Sequence, residues 1–216
     1  ICFNNVRTAG SRLKVSWVVS TDDSTLVFTR TLPDNKVTVK AELKAPWSYE
    51  IIADEPVMPT SELPSHLALQ NYLLETGSTY KAPLHTHPIE LVAMSHIRRF
   101  LKGDEMTRVL WSMIPETLAF APLGIGIVPY YIPGSIELAD ATLEQIKTHD
   151  VVLWEKHGTV AVGTDIMDAF DQTDVLCKAA NIYMCARNMG SEPDGMTEKD
   201  VKDIQDVFKL PKERPC

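Results

Sequence analysis

Between Leu13 and Ile52, short β-branched and aromatic runs alternate with turn chemistry: Val15 to Val19, then Asp22-Asp23, then Thr25 to Thr29, then Pro33-Asp34-Asn35, then Val37 to Val39. Runs of this kind, bounded by Asp, Asn and Pro, predict antiparallel strands joined by tight turns. From Pro59 the period changes. After Pro59-Thr60-Ser61-Glu62, the residues Leu63, Leu67, Tyr72 and Leu73 share one face of a helix, Pro64 fits only its first turn, and Gly77 closes it. This places Thr60, Ser61 and Glu62 at a helix N-terminus, with Ser61 as cap and Glu62 as a first-turn charge. Lys81 to His87 reads as a strand that runs into Pro88, which suits the first position of the next helix.

A charged loop around Lys102 to Glu105 follows, and Glu116 to Pro133 reads as strands and turns. Ser135 caps a helix whose apolar positions include Ile136, Ala139, Leu143 and Ile146. Val151 to Trp154, a turn at 155–158 and Thr159 to Gly163 predict a hairpin with His157 at its tip. A long helix from about Ile166 to Met189 carries Ala169, Phe170, Thr173, Leu176, Ala180, Tyr183 and Met184 at helical period and stops at Gly190. One short amphipathic helix and a polar tail complete the chain. With no repeat, low-complexity tract or linker, the 216 residues read as a single domain of helices against a sheet.

At 44% hydrophobic and 23% charged the composition is that of a folded globular domain. The balance of 21 basic against 29 acidic side chains, 21 − 29 = −8, disfavours nucleic acid, since the longest basic cluster is Arg98-Arg99 with Lys102. The most apolar stretch, Leu118 to Ile132, is broken by Pro122, Gly124, Gly126 and Pro129, so a bilayer span is not expected. Cys2, Cys177, Cys185 and Cys216 have neither a disulfide-framework nor a Cys-x-x-Cys spacing, which points to a reducing, cytoplasmic setting. The first residue is Ile1 rather than Met, and the expectation is that an N-terminal segment precedes it.

Side chains two apart on a strand project from the same face, so His85 and His87 can reach one metal ion, and His157 can add a third imidazole from a distant turn. Imidazole nitrogens suit zinc first, then iron, nickel, cobalt and copper. The alternative is a pair of ordinary hydrogen-bonded strand histidines. Glu62, where unpaired N–H groups favour an anion, is the leading carboxylate, with helix capping as its plainer reading. Glu116 and Glu155 are by default solvated charges. His66 reads as a helix-face residue, His96 and His149 as residues that complement helix ends, Cys177 and Cys185 as small buried hydrophobes, and Met184 and Met189 as core filling.

Taken in order, Pro59-Thr-Ser-Glu-Leu-Pro-Ser-His66, Leu84-His-Thr-His-Pro88, Leu110-Trp111 with Pro115-Glu116, Gly124-Ile-Gly-Ile-Val-Pro129, Pro133-Gly134 and Leu153-Trp-Glu-Lys-His-Gly158 resemble the class II aldolase family over most of residues 50 to 190. The combination is far more specific than any one element, and it selects the metal reading for His85, His87 and His157 and the proton-handling reading for Glu62. The resemblance implies a three-layer αβα domain with a mainly antiparallel central sheet, assembled as a homotetramer with active sites at subunit interfaces. It further implies zinc on His85, His87 and His157, Glu62 as the carboxylate that handles the substrate proton, and Glu116 as a second acid near a neighbouring subunit's site. Thr60 and Ser61 would form part of a phosphate cradle. The family's phosphate loop is matched only by Arg7 to Arg12, in which Gly10 is retained and Ala9 stands where a hydroxyl residue belongs, and the family's N-terminal helical region with a Gly-Asn element is not matched.

The activity so implied is reversible cleavage of L-rhamnulose 1-phosphate to dihydroxyacetone phosphate and L-lactaldehyde through a metal-stabilised enediolate. Fuculose-phosphate cleavage, ribulose-phosphate 4-epimerisation and a non-catalytic, adducin-like role are the alternatives.

Overall fold

Val151 to Trp154 and Gly158 to Gly163 are buried at every position, which is the signature of strands covered on both faces rather than of a sheet with one wet side. A computed structural model of the chain describes residues 60–102 and 104–212 in full and the backbone of four strands before them. Those strands are β1 (Ser16–Asp22), β2 (Thr25–Thr31), β3 (Lys36–Lys44) and β4 (Ser48–Ile52), and they form an antiparallel meander in chain order, as the alternating runs predict.

The second sheet is built from β5 (Ala82–Thr86), β6 (Ile125–Val128), β7 (Val151–Trp154) and β8 (Gly158–Gly163), in the order β5-β8-β7-β6. β5–β8 and β7–β8 are antiparallel and β6–β7 is parallel, so the sheet is mixed. The period of two along β7 sends Val151 and Leu153 into one core cluster and Val152 and Trp154 into another. The first cluster is covered by α2 (Ile89–Ser95), α3 (Glu105–Met113) and α6 (Ile166–Asn188), through Leu91, Met94, Leu110, Leu176 and Ala180. The second is covered by α1 (Leu63–Glu75) and α5 (Ile136–Ile146), through Leu69, Leu73, Leu138 and Ile146. The result is the expected three-layer αβα sandwich. Trp154, almost wholly buried, donates its indole N–H to Thr142 Oγ1 at 2.7 Å and thereby ties the sheet to α5.

The structure corrects three local expectations and adds one helix. Ser61 is not the cap of α1: Glu62 occupies that position, with no side-chain capping bond. Pro88 lies one residue outside α2, in extended geometry (φ −71°, ψ 122°). Between Glu105 and Met113, a stretch assigned no element from sequence, the chain is helical, with Met106, Val109 and Leu110 recurring at helical spacing and buried. Glu116–Phe120, expected to be irregular or extended, forms the short helix α4, whose buried Thr117 returns its hydroxyl to Ile114 O at 2.6 Å. The hairpin around His157, the Ser135 cap with its bond from Leu138 N–H, and the long α6 ending before Gly190 (φ +95°) are where the pattern puts them. The amphipathic tail helix is α7 (Glu198–Phe208). Among the described residues no helix is long and apolar enough to cross a membrane.

Candidate metal centre and active site

His85 is buried at the end of β5, and its Nδ1 lies 2.8 Å from Thr159 O on the paired strand β8. A carbonyl oxygen can only accept, so Nδ1 carries the hydrogen and Nε2 turns its lone pair inward. His87, two residues on and exposed, presents the same face and brings its Nε2 to 2.9 Å from that of His85. The β7–β8 turn delivers His157, whose ring centroid is 5.1 Å from that of His85 and 5.2 Å from that of His87. One nitrogen from each of the three rings falls within 4.8 Å of the others. Trp154 packs along His85 and His157, with centroids 4.5 and 5.0 Å away.

Gly158 makes this approach sterically possible. A Cβ there would lie 2.5 Å from Thr86 O, 2.6 Å from His87 Cδ2 and 2.9 Å from His85 Cε1. Gly158→Ala is therefore expected to push the rings apart and weaken zinc binding by at least about tenfold, read by competition with a chromogenic chelator. Unchanged affinity would mean that the rings do not have to sit this close.

Desolvation within the cluster favours the neutral form of all three imidazoles, most strongly at buried His85. It pushes His85 down to about 3, helped by the neighbouring rings of His87 and His157 against the opposing bond to Thr159. It also lowers His87, where the charge of His157 adds and that of Glu62 opposes, and it lowers His157. The cluster therefore offers neutral lone pairs from three nitrogens, and Nδ1 of His157 is buried without a hydrogen-bond partner. That donor set fits a borderline divalent ion such as zinc, and with three protein donors converging among the described residues it would leave a coordination position open.

Glu62 stands beside it. Its Oε1 is 3.9 Å from His157 Nε2 and accepts from Ser61 Oγ at 3.1 Å, while its Oε2 accepts from Gly134 N–H at 3.3 Å. Only 4% of the residue is exposed. Burial raises its carboxyl above the ordinary range, and the bonds from Ser61 and Gly134 and the proximity of His87 pull the other way. Gly134 has φ +77°, and a Cβ on it would lie 2.4 Å from Ser61 O, so the loop before α5 closes on the start of α1 only with glycine at this point.

The remaining candidates divide. Thr60 Oγ1 accepts from Glu62 N–H at 3.4 Å, so Thr60 meets the backbone of Glu62 and Ser61 its carboxylate. Glu116 is exposed at the start of α4, and no hydrogen bond or ion pair among the described residues joins it to the histidines or to Glu62. Glu155 pairs with Lys156 at 2.7 Å and accepts from Tyr130 N–H, and these contacts, Lys156 foremost, hold its carboxyl low. His66 is buried in α1 outside the cluster, and His149 lies against Gln145 O after α5. Cys177 is half-buried with its thiol pushed up to about 12, the inert state expected. Cys185, expected to be buried, is exposed because it lies on the outer face of α6, and Met189, expected in the core, is 87% exposed at the end of that helix. Met184 does pack against the core. Gly10 lies outside the described residues.

Gly134 N–H and the Thr159 carbonyl are functional groups that the residue types do not announce. Pro133-Gly134 ahead of a Ser cap marks a turn, but its contact with a residue 72 positions earlier is a property of the fold.

Residues 16–184 match the family described as Class II Aldolase and Adducin N-terminal domain. A rhamnulose-1-phosphate aldolase from Bacteroides thetaiotaomicron is 59% identical over 165 residues, covering 76% of this chain and 61% of that protein. Another, from Enterococcus faecalis, is 34% identical over 167 residues, covering 77% and 58%. The chain thus spans less than two thirds of the length of these relatives. Among solved structures, a sugar-phosphate aldolase from Thermotoga maritima superposes with a TM-score of 0.65 at 30% identity, covering 88% of this chain and 84% of that one. An L-fuculose 1-phosphate aldolase gives 0.60 at 19% identity, with 90% and 84% covered, a likeness of fold.

Proposed function

The chain belongs to the family of class II aldolases and adducin N-terminal domains, and we propose that it is a zinc-dependent lyase that cleaves L-rhamnulose 1-phosphate to dihydroxyacetone phosphate and L-lactaldehyde. The observation that carries this reading is the meeting of three neutral imidazoles, from two separated stretches, beside a buried carboxylate. A non-catalytic module would have no use for that set.

The chemistry dictates the parts. Cleavage removes the proton of the C4 hydroxyl, breaks the C3–C4 bond, and leaves the bonding electrons on C3, next to the C2 carbonyl. His85, His87 and His157 would hold the zinc ion, which when bound would supply a Lewis acid for the charge that develops next to the C2 carbonyl. Glu62 gives C3 its proton in the cleavage direction and takes it away in synthesis. A carboxyl that burial has raised towards the working pH suits both directions. Ser61 Oγ and Gly134 N–H hold one oxygen each, so the carboxylate is aimed before substrate arrives. Glu116, exposed on α4, is assigned to the aldehyde half at a partner subunit's site in a homotetramer, where it orients that half, accepting the C4-hydroxyl proton in cleavage and protonating the aldehyde oxygen in synthesis. Thr60, Ser61 and Gly10 are assigned to the phosphate. With a net charge of −8, capture of that anion has to be local, through hydroxyl and N–H donors such as those at the start of α1. A soluble, cytoplasmic single domain is the setting this reading adopts.

Relatives bearing the same chemistry act on other sugars, so the test is a comparison of kcat/KM on L-rhamnulose, L-fuculose and ribulose phosphates with zinc-loaded protein. The highest value is expected on L-rhamnulose 1-phosphate. A higher value on another sugar would change the substrate and keep the class, and no turnover on any would remove the enzyme reading.

A further inference from the structure

α2 carries an anomaly in its apolar face. Leu91, Met94 and Ser95 are all at most 1% exposed, and Leu91 and Met94 belong to the main core cluster, yet the third position is a serine. Its hydroxyl donates to Val92 O at 2.6 Å, which uses its one hydrogen and leaves an oxygen lone pair facing outward from the helix. That lone pair meets Lys156 N–H at 2.8 Å, across 61 residues of sequence.

Lys156 is one of two non-glycine residues with positive φ among the described residues, at φ +62°. A lysine in the left-handed region is disfavoured by the clash of its Cβ with the backbone, so the surrounding contacts have to impose it. On one side Glu155 N–H donates to Val128 O at 2.9 Å and Glu155 Oε2 receives Tyr130 N–H at 3.2 Å. On the other, His157 N–H closes back on Trp154 O at 3.0 Å. Between them, Ser95 holds the left-handed residue itself. The next residue is the imidazole His157. The helix that starts two residues after His87 therefore ends in the group that fixes the turn carrying His157, and one short rigid element spans the two ligands.

We infer that Ser95 is a positioning residue for the metal centre, its buried hydroxyl latching the left-handed turn at Lys156 and so aiming the His157 ring at His85 and His87. The inference rests on the metal reading of the three histidines and adds to it a residue that touches neither metal nor substrate.

The test compares Ser95→Ala, Ser95→Thr and Leu91→Val, the last of which loosens the same helix without touching the latch. Zinc affinity is read on the metal-free proteins by competition with a chromogenic chelator, and hydrogen exchange at the Lys156 amide is read alongside. Ser95→Ala is expected to unfold as cooperatively as the parent, to bind zinc roughly 10- to 100-fold more weakly, and to lose protection at Lys156. Ser95→Thr, which keeps the hydroxyl, is expected to restore both, and Leu91→Val to change neither. Parent-like zinc affinity or parent-like Lys156 protection in Ser95→Ala overturns the inference, as does an equal loss in Leu91→Val. A parent protein that takes up no zinc removes the metal reading and the inference together, whereas one that takes up zinc as tightly with Ser95→Ala removes the inference alone.

Discussion

Glu62→Gln is expected to bind zinc as the parent does and to lose about 10²- to 10⁴-fold in turnover, the usual contribution of a positioned acid–base group. Glutamine matches glutamate in size and can keep an oxygen towards Gly134 N–H, so the loop contact between α1 and the start of α5 survives. The ability to give and accept a proton at C3 does not survive. The loss should therefore fall on kcat, with substrate binding little changed, because the proton moves only in the reaction. A Glu62→Gln enzyme with near-parent kcat would take Glu62 out of the chemistry and leave it a structural carboxylate at a helix start.

His87→Ala is expected to abolish measurable zinc retention and with it aldehyde release, while the fold persists. Of the three candidate ligands His87 is the exposed one, one residue beyond β5, so removing its ring opens no core cavity. His85→Ala would mix two effects, since that ring is buried against Trp154 and holds Thr159 O. With His87 replaced, two imidazoles remain, too few to hold a catalytic zinc firmly. Metal content measured by atomic emission, together with the midpoint of thermal unfolding, separates the outcomes. A parent-like zinc content in His87→Ala would exclude this histidine as a ligand.

The sequence was most legible where local chemistry and tertiary position agree. His-x-His on a strand gives a shared face by the period of two alone, and Glu155-Lys-His-Gly158 between two apolar runs gives a hairpin tip, so the three candidate ligands were readable one at a time. That they meet needed the pairing of β5 with β8, which no local signal contains. Elements were misread where local signals compete. Pro115-Glu116-Thr117 looks like a break in regular structure, but proline before a first-turn acid also starts helices, and the burial of Leu118 decided the matter. Glu62 took the cap position expected of Ser61 because the serine hydroxyl is committed to the carboxylate instead of to the helix N–H groups. Met189 and Cys185 show the limit of periodicity in a long helix: near the end of α6, positions of core type face outward. Gly134 and Ser95 were least legible, because each acts through a contact more than 60 residues away.

The account is tested most directly by aldehyde release from L-rhamnulose 1-phosphate, assayed on one preparation before chelation, after removal of chelator and metal, and after one equivalent of zinc is returned. Activity should vanish with the metal and come back with it in proportion to the zinc bound. Undiminished release from protein verified to be metal-free would contradict the assignment of His85, His87 and His157 as the centre of the chemistry.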